Sequence, residues 1–123
     1  MSTGSASLVD FRGSGYDRGH LAPAGDMGFS YEAMSESFYL SNMSPQKAGF
    51  NRRIWRSLES RVRDWVVSNG SVHVITGGIL PGSYQDIGPN NVTVPEYYYK
   101  IILDDRGAKS EKNCYVVLSE NNP

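Results

Sequence analysis

The 123-residue chain reads as α+β, with an antiparallel sheet packed against helix. Three observations lead there. Phe50, Ile54, Leu58, Val62, Trp65 and Val66 recur at steps of three and four, which makes one apolar stripe of a helix. Residues 72–76, 97–103 and 113–118 are short apolar runs rich in β-branched and aromatic side chains, separated by turn residues. Their order, a helix followed by strand after strand, is that of an α+β chain rather than an alternating α/β one.

Residues 1–35 are rich in Gly, Ser and Ala and read mostly as loop, with turn signals at Gly13-Ser14-Gly15 and Pro23-Ala24-Gly25-Asp26. Within them, residues 17–21 make a short strand of weak periodicity, and residues 35–40 fit either a short strand or a helical turn. The main helix is expected from about residue 46 to 68, closed by Asn69-Gly70 as a C-terminal cap. Asn51, Trp55, Glu59 and Arg63 recur at steps of four and so share a face beside the apolar stripe. Residues 72–76 then read as a buried strand, stopped by Gly77-Gly78 and Pro81-Gly82. Residues 83–92 form a polar loop, and Asp104-Asp105-Arg106-Gly107 turns between the last two strands.

Composition narrows the function. The hydrophobic fraction of 39% supports one packed domain, residues 1–123. A net charge of -1 offers no global basic field, which counts against a pure nucleic-acid-binding module and less against an enzyme that places a few cations locally. Cys114 is alone, so neither an internal disulfide nor a cysteine-based zinc site can form. The N-terminal residues carry no signal-peptide pattern, and no apolar run is long enough to span a membrane.

The chemistry gathers around Asp17-Arg18-Gly19-His20, one of only two histidines set beside arginine and acid. A neutral imidazole can take a proton from water near neutral pH. Asn51 and Glu59 follow on the stretch that reads as a helix, an amide and a carboxylate on one face, whose oxygen atoms can serve a metal ion. A base, a metal ligand and local cations are the parts needed for metal-assisted hydrolysis of a phosphodiester.

These residues also carry a resemblance. The segment Tyr16-Asp17-Arg18-Gly19-His20-Leu21-Ala22-Pro23 resembles the signature of the DNA/RNA non-specific endonucleases, the ββα-metal nucleases that include secreted bacterial and mitochondrial endonuclease G-type enzymes. The likeness continues through Tyr39-Leu40-Ser41-Asn42-Met43-Ser44-Pro45-Gln46 and through residues 50–59, with Val74-Ile75-Thr76-Gly77-Gly78 and Val94-Pro95 similar to later strands. The resemblance implies an antiparallel sheet flanked by helices, with the site in a ββα-metal element. It implies that His20 is the general base, that Asn51 is the one direct protein ligand of Mg2+, and that Glu59 orients metal-bound water. Arg18, Asn42 and Arg63 match residues that support the site or contact phosphate. Mn2+ or another divalent ion can substitute. The products would carry 5′-phosphates, the substrates would be DNA and RNA, no membrane is involved, and family members are exported or organellar.

The family carries strands and a further arginine upstream of the signature, and a helix downstream. Sixteen residues before Asp17 are too few for those strands, so the chain reads as truncated at both ends. That leaves a second function open: an inactive or partial nuclease fold that binds nucleic acid, or assembles as a homodimer or with a complementing chain. Residues 97–103 and 113–118 are then the strands expected at the open edges. Arg52 and Arg56, with Arg53, suit either a solvated helix face or substrate binding along a phosphate backbone. His73, between valines, reads as a buried or half-buried structural residue, Tyr97-Tyr98-Tyr99 as packing, and Cys114 as a buried apolar side chain.

Overall fold

The computed structural model describes residues 6–69, 72–82, 85–104 and 113–121. The region expected as loop contains short helices. Helix α1 (Leu8–Phe11) opens with the Ser7 amide donating to the Asp10 carboxylate at 2.7 Å. Helix α2 (Tyr31–Glu36) is capped by Ser30, whose hydroxyl accepts from the Ala33 amide at 3.0 Å; the 35–40 segment is thus entered by a helix and not a strand. Between them lie strand β1 (Asp17–His20) and a 3-10 turn at Ala24–Met27.

Strand β2 (Met43–Gln46) pairs antiparallel with β1, setting Asp17 opposite Gln46 and His20 opposite Met43. Gln46 is therefore strand, and the helix starts later than its periodicity suggests. Gly19 faces the wholly buried Gln46 side chain: a Cβ there would lie 2.1 Å from Gln46 Cδ, so the middle of the motif admits no larger residue without displacing Gln46.

The helical segment begins with a π turn, Phe50–Trp55, and continues as α3 (Arg56–Asn69). A π turn closes i to i+5 bonds, so it adds a residue to the turn. Phe50 and Trp55, five apart, pack with tilted rings 5.1 Å apart and are both buried, while Ile54 is turned out and 57% exposed. Trp55 consequently leaves the face it was expected to share with Asn51.

A three-stranded antiparallel sheet follows, in the order β3 (His73–Ile79), β6 (Tyr97–Asp104), β7 (Asn113–Glu120). Residues 83–92, expected as loop, contribute to a small hairpin of β4 (Asp86–Ile87) and β5 (Val92–Thr93). β6 is the central strand and β3 and β7 are the edges, so residues 97–103 are not an open edge. Alternation along β6 buries Tyr98, Lys100 and Ile102 on the helix side. The opposite face, carrying Ile75, Val116 and Leu118, stays largely exposed. That is why β3 is not the buried strand it was read to be, and why His73 is exposed. The Cys114 side chain lies outside the described residues.

Two apolar clusters hold the fold. Phe11, Met43, Ile87 and Val94 form one; Phe50, Trp55 and Tyr98 form the other, their rings 5.1–5.6 Å apart. The β1–β2 hairpin is tied to the larger sheet by polar clamps. The Tyr98 hydroxyl donates to the Pro45 carbonyl at 2.8 Å and also meets the Ser44 hydroxyl. Asn121 accepts from the Lys47 amide at 2.8 Å and donates to the carbonyls of Pro45 and Pro95.

Candidate active site

The hairpin and the π turn meet at a polar cleft of about 460 Å³. His20, Asn51, Arg52, Arg56, Glu59 and Arg63 line it, with Ala24, Gly25 and Ser60. Six of the eight residues singled out in the sequence are thereby brought together. The extra residue in the π turn places Arg56, five beyond Asn51, in the row with Glu59 and Arg63.

His20 ends β1, and its ring meets Phe38 edge-on at 4.7 Å and 89°. Its Nε2 is buried and has no hydrogen-bond partner among the described residues, whereas Nδ1 is not so enclosed. Burial lowers its pKa from the ordinary value of 6.5, and the charge of Arg18 lowers it further. Both effects favour the neutral ring, the form that can accept a proton.

Asn42 lies behind the cleft. Its amide nitrogen donates to the carbonyls of Ala22 and Ser37, and its oxygen accepts from the Ala22 amide, each at 2.9 Å. With the Leu21 amide bonded to the Asn42 carbonyl, this fastens the backbone that leaves His20. Asn42 acts as a strut. Arg18 is exposed and lines the adjoining hollow of about 540 Å³, with Asp17, Asn51 and Arg52.

Asn51 has its backbone amide bonded to the Lys47 carbonyl at 2.9 Å. Its Nδ2 donates to Asp17 Oδ2 at 2.9 Å, and Oδ1 accepts no hydrogen bond among the described residues. Arg52 grips the same carboxylate with Nε and Nη2, both at 2.9 Å. Arg63 pairs loosely with Asp26 at 3.3 Å. Arg18 and Arg56 have no ion pair among the described residues, so their charges are available to an anion.

Glu59 borders both the cleft and a smaller cavity of about 310 Å³ that reaches Lys100. Burial raises its pKa from 4.5, and the charges of Lys100 and Arg63 oppose that rise. Lys100 is only 1% exposed, yet Nζ donates to the Thr76 hydroxyl at 3.0 Å and sits 4.7 Å over the Trp55 ring. Burial lowers its pKa, against the pull of Glu59 and Asp26. Neither Lys100 nor Asp17 had been assigned a role from the sequence. Strand parity carries the signal for Lys100, since it shares the core side of β6 with Tyr98 and Ile102.

Among the described residues no group of three or more His, Cys, Asp or Glu side chains could cage a metal. A hydrated Mg2+ needs no cage, being commonly held by one or two protein oxygens plus water and phosphate. An asparagine whose nitrogen is committed to a carboxylate and whose oxygen is free fits that donor set.

The family model of the DNA/RNA non-specific endonucleases matches residues 3–123. The chain belongs to that family. It is 41% identical to mitochondrial endonuclease G of Homo sapiens, over 91% of this chain and 41% of that protein. It is 46% identical to mitochondrial Nuclease 1 of Schizosaccharomyces pombe, over 85% of this chain and 36% of that protein. A chain in the crystal structure of the EndoG/EndoGI complex superposes with a TM-score of 0.87 at 36% identity, over 95% of this chain and 52% of that one. This member of the non-specific endonuclease family thus spans between about a third and a half of the relatives it matches. The α+β fold is the family's own, and among the described residues no helix is long and apolar enough to cross a membrane.

Proposed function

We propose that this chain carries the catalytic centre of a divalent-metal-dependent endonuclease that hydrolyses DNA and RNA with little sequence preference. The observation that supports it best is the convergence of His20, Asn51 and Glu59, from a strand, a π turn and a helix, on one arginine-lined cleft.

In this reading His20, through Nδ1, removes a proton from the attacking water. The resulting hydroxide adds to phosphorus opposite the 3′ oxygen. The P–O3′ bond breaks, the departing O3′ takes a proton from water, and the phosphate stays on the 5′ end of the downstream product. Arg56 and Arg63 border the same cleft and offset the negative charge that grows on the phosphoryl oxygens. Asn51, through Oδ1, would hold Mg2+, or Mn2+ in its place. When bound, the metal supplies Lewis acidity at the phosphoryl and leaving oxygens. Glu59 would accept hydrogen bonds from water in the cleft. Contacts to phosphate carry no base information, which accounts for the lack of sequence preference.

Supercoiled plasmid and a structured RNA, each incubated with Mg2+ with and without chelator, test this. Cleavage that stops with chelator and leaves ends that a kinase labels only after phosphatase treatment is the expected result. Intact substrate, or chelator-resistant cleavage, removes the proposal.

A second reading, an assembly module, is favoured by the exposed outer face of the sheet and by its edges β3 and β7. A second copy or a complementing chain would cover that face, and the centre would then be completed by association. An organellar location is our further proposal, supported by the names of the mitochondrial relatives. Fractionation of cells expressing the tagged protein tests it.

A further inference from the structure

We infer that Asp17 is a positioning residue whose task is to set the Asn51 amide so that its oxygen, not its nitrogen, faces the cation. The inference rests on the reading of Asn51 as a metal donor and extends it to the residue behind. An asparagine amide can turn over, presenting either an acceptor oxygen or a donor NH2 to the same point. A cation tolerates only the oxygen. A carboxylate accepts and does not donate, so a carboxylate on one side of the amide forces the NH2 toward itself and the oxygen away.

Asp17 is placed to do this. Oδ2 accepts from Asn51 Nδ2 at 2.9 Å. The carboxylate is itself held by two parallel bonds from Arg52, at 2.9 Å each, and its side chain is only 19% exposed. Its backbone is in register with Gln46 on β2, and the Asn51 backbone N–H donates to the carbonyl of Lys47, the next residue along. The backbones that carry the carboxylate and the amide are thus both anchored at the end of β2, at Gln46 and Lys47. An asparagine at position 17 would fit the same space but could accept or donate, and the Asn51 amide would lose its preferred orientation.

The test is Mn2+ affinity of the full chain without substrate, read from the paramagnetic resonance signal of the free ion, with a thermal melt of each variant. D17N should weaken binding about 10–100-fold, the range for residues that orient a metal ligand. The reciprocal pair D17N/N51D restores a bond between the two side chains and presents a carboxylate oxygen whichever way it turns. It should bind Mn2+ more tightly than D17N. A D17N that binds like the wild type overturns the inference, as does a folded reciprocal pair that binds no better than D17N. N51A separates the two levels of the reading. If N51A binds like the wild type, Asn51 is not the metal donor; if N51A loses binding and D17N does not, only the positioning role of Asp17 fails.

Discussion

Replacing His20 by alanine removes the imidazole that lines the cleft while leaving Asn51 and the arginines in place. A positioned general base contributes about 10²–10⁴-fold, so the H20A variant should cleave plasmid that much more slowly, a barrier increase of about 3–5 kcal/mol. Metal affinity and the melt should change little, because the backbone pairing of His20 with Met43 is kept and the buried Nε2 of its ring has no hydrogen-bond partner among the described residues to lose. Protonation of the ring sets a separate limit. With an ordinary pKa near 6.5, about three-quarters of the ring is already neutral at pH 7, so depressing it further gains at most about 1.3-fold there. Its effect is on the acid side. Burial and the Arg18 charge both lower the His20 pKa, so the acid limb of kcat/KM should lie below pH 6.5. Arg18→Met removes one of those causes, raises the pKa and moves the limb to higher pH. A loss of tenfold or more in R18M at pH 8, where the ring is neutral in either case, would then report contact with phosphate and not a change in the base. An H20A variant that keeps more than about a tenth of wild-type activity would refute the assignment.

Three further outcomes follow from the same geometry. Asn51→Ala should cleave poorly at limiting Mg2+ and recover in part as Mg2+ is raised; normal cleavage at limiting metal would place the ligand elsewhere. Trp55→Ala removes one of the three mutually packed rings of Phe50, Trp55 and Tyr98 and leaves the buried Lys100 amine without the ring beneath it, so urea melts should show a loss of about 3–5 kcal/mol. A loss below about 1 kcal/mol would mean the π turn is not part of the core. Sedimentation at low micromolar concentration should reveal association through the outer face and edges of the three-stranded sheet, and a sharp monomer with a cooperative melt would show that the chain closes its own core.

What could be read from the sequence was local. The Asp17-Arg18-Gly19-His20 run and the spacing of Asn51, Glu59 and Arg63 depend only on covalent order, and a helix face is a consequence of that order. The strand pattern of 97–103 and 113–118 was likewise carried by side-chain type, and both are strands. What escaped was set at long range. A step of four puts Trp55 beside Asn51, but the π turn inserts a residue, and Trp55 packs against Phe50 and Tyr98 instead. Which strand is central depends on pairing partners, so 97–103 could be mistaken for an edge. Exposure of His73 depends on what covers an edge strand, which its alternation with valines does not state. The roles of Asp17 and Lys100 are of the same kind. Asp17 acts on a residue 34 positions away, and Lys100 reaches the hydroxyl of Thr76, 24 positions away, on the neighbouring strand. Such contacts form only after the chain has folded back on itself, because the free energy that selects them is the burial and pairing of distant groups, which no local window contains.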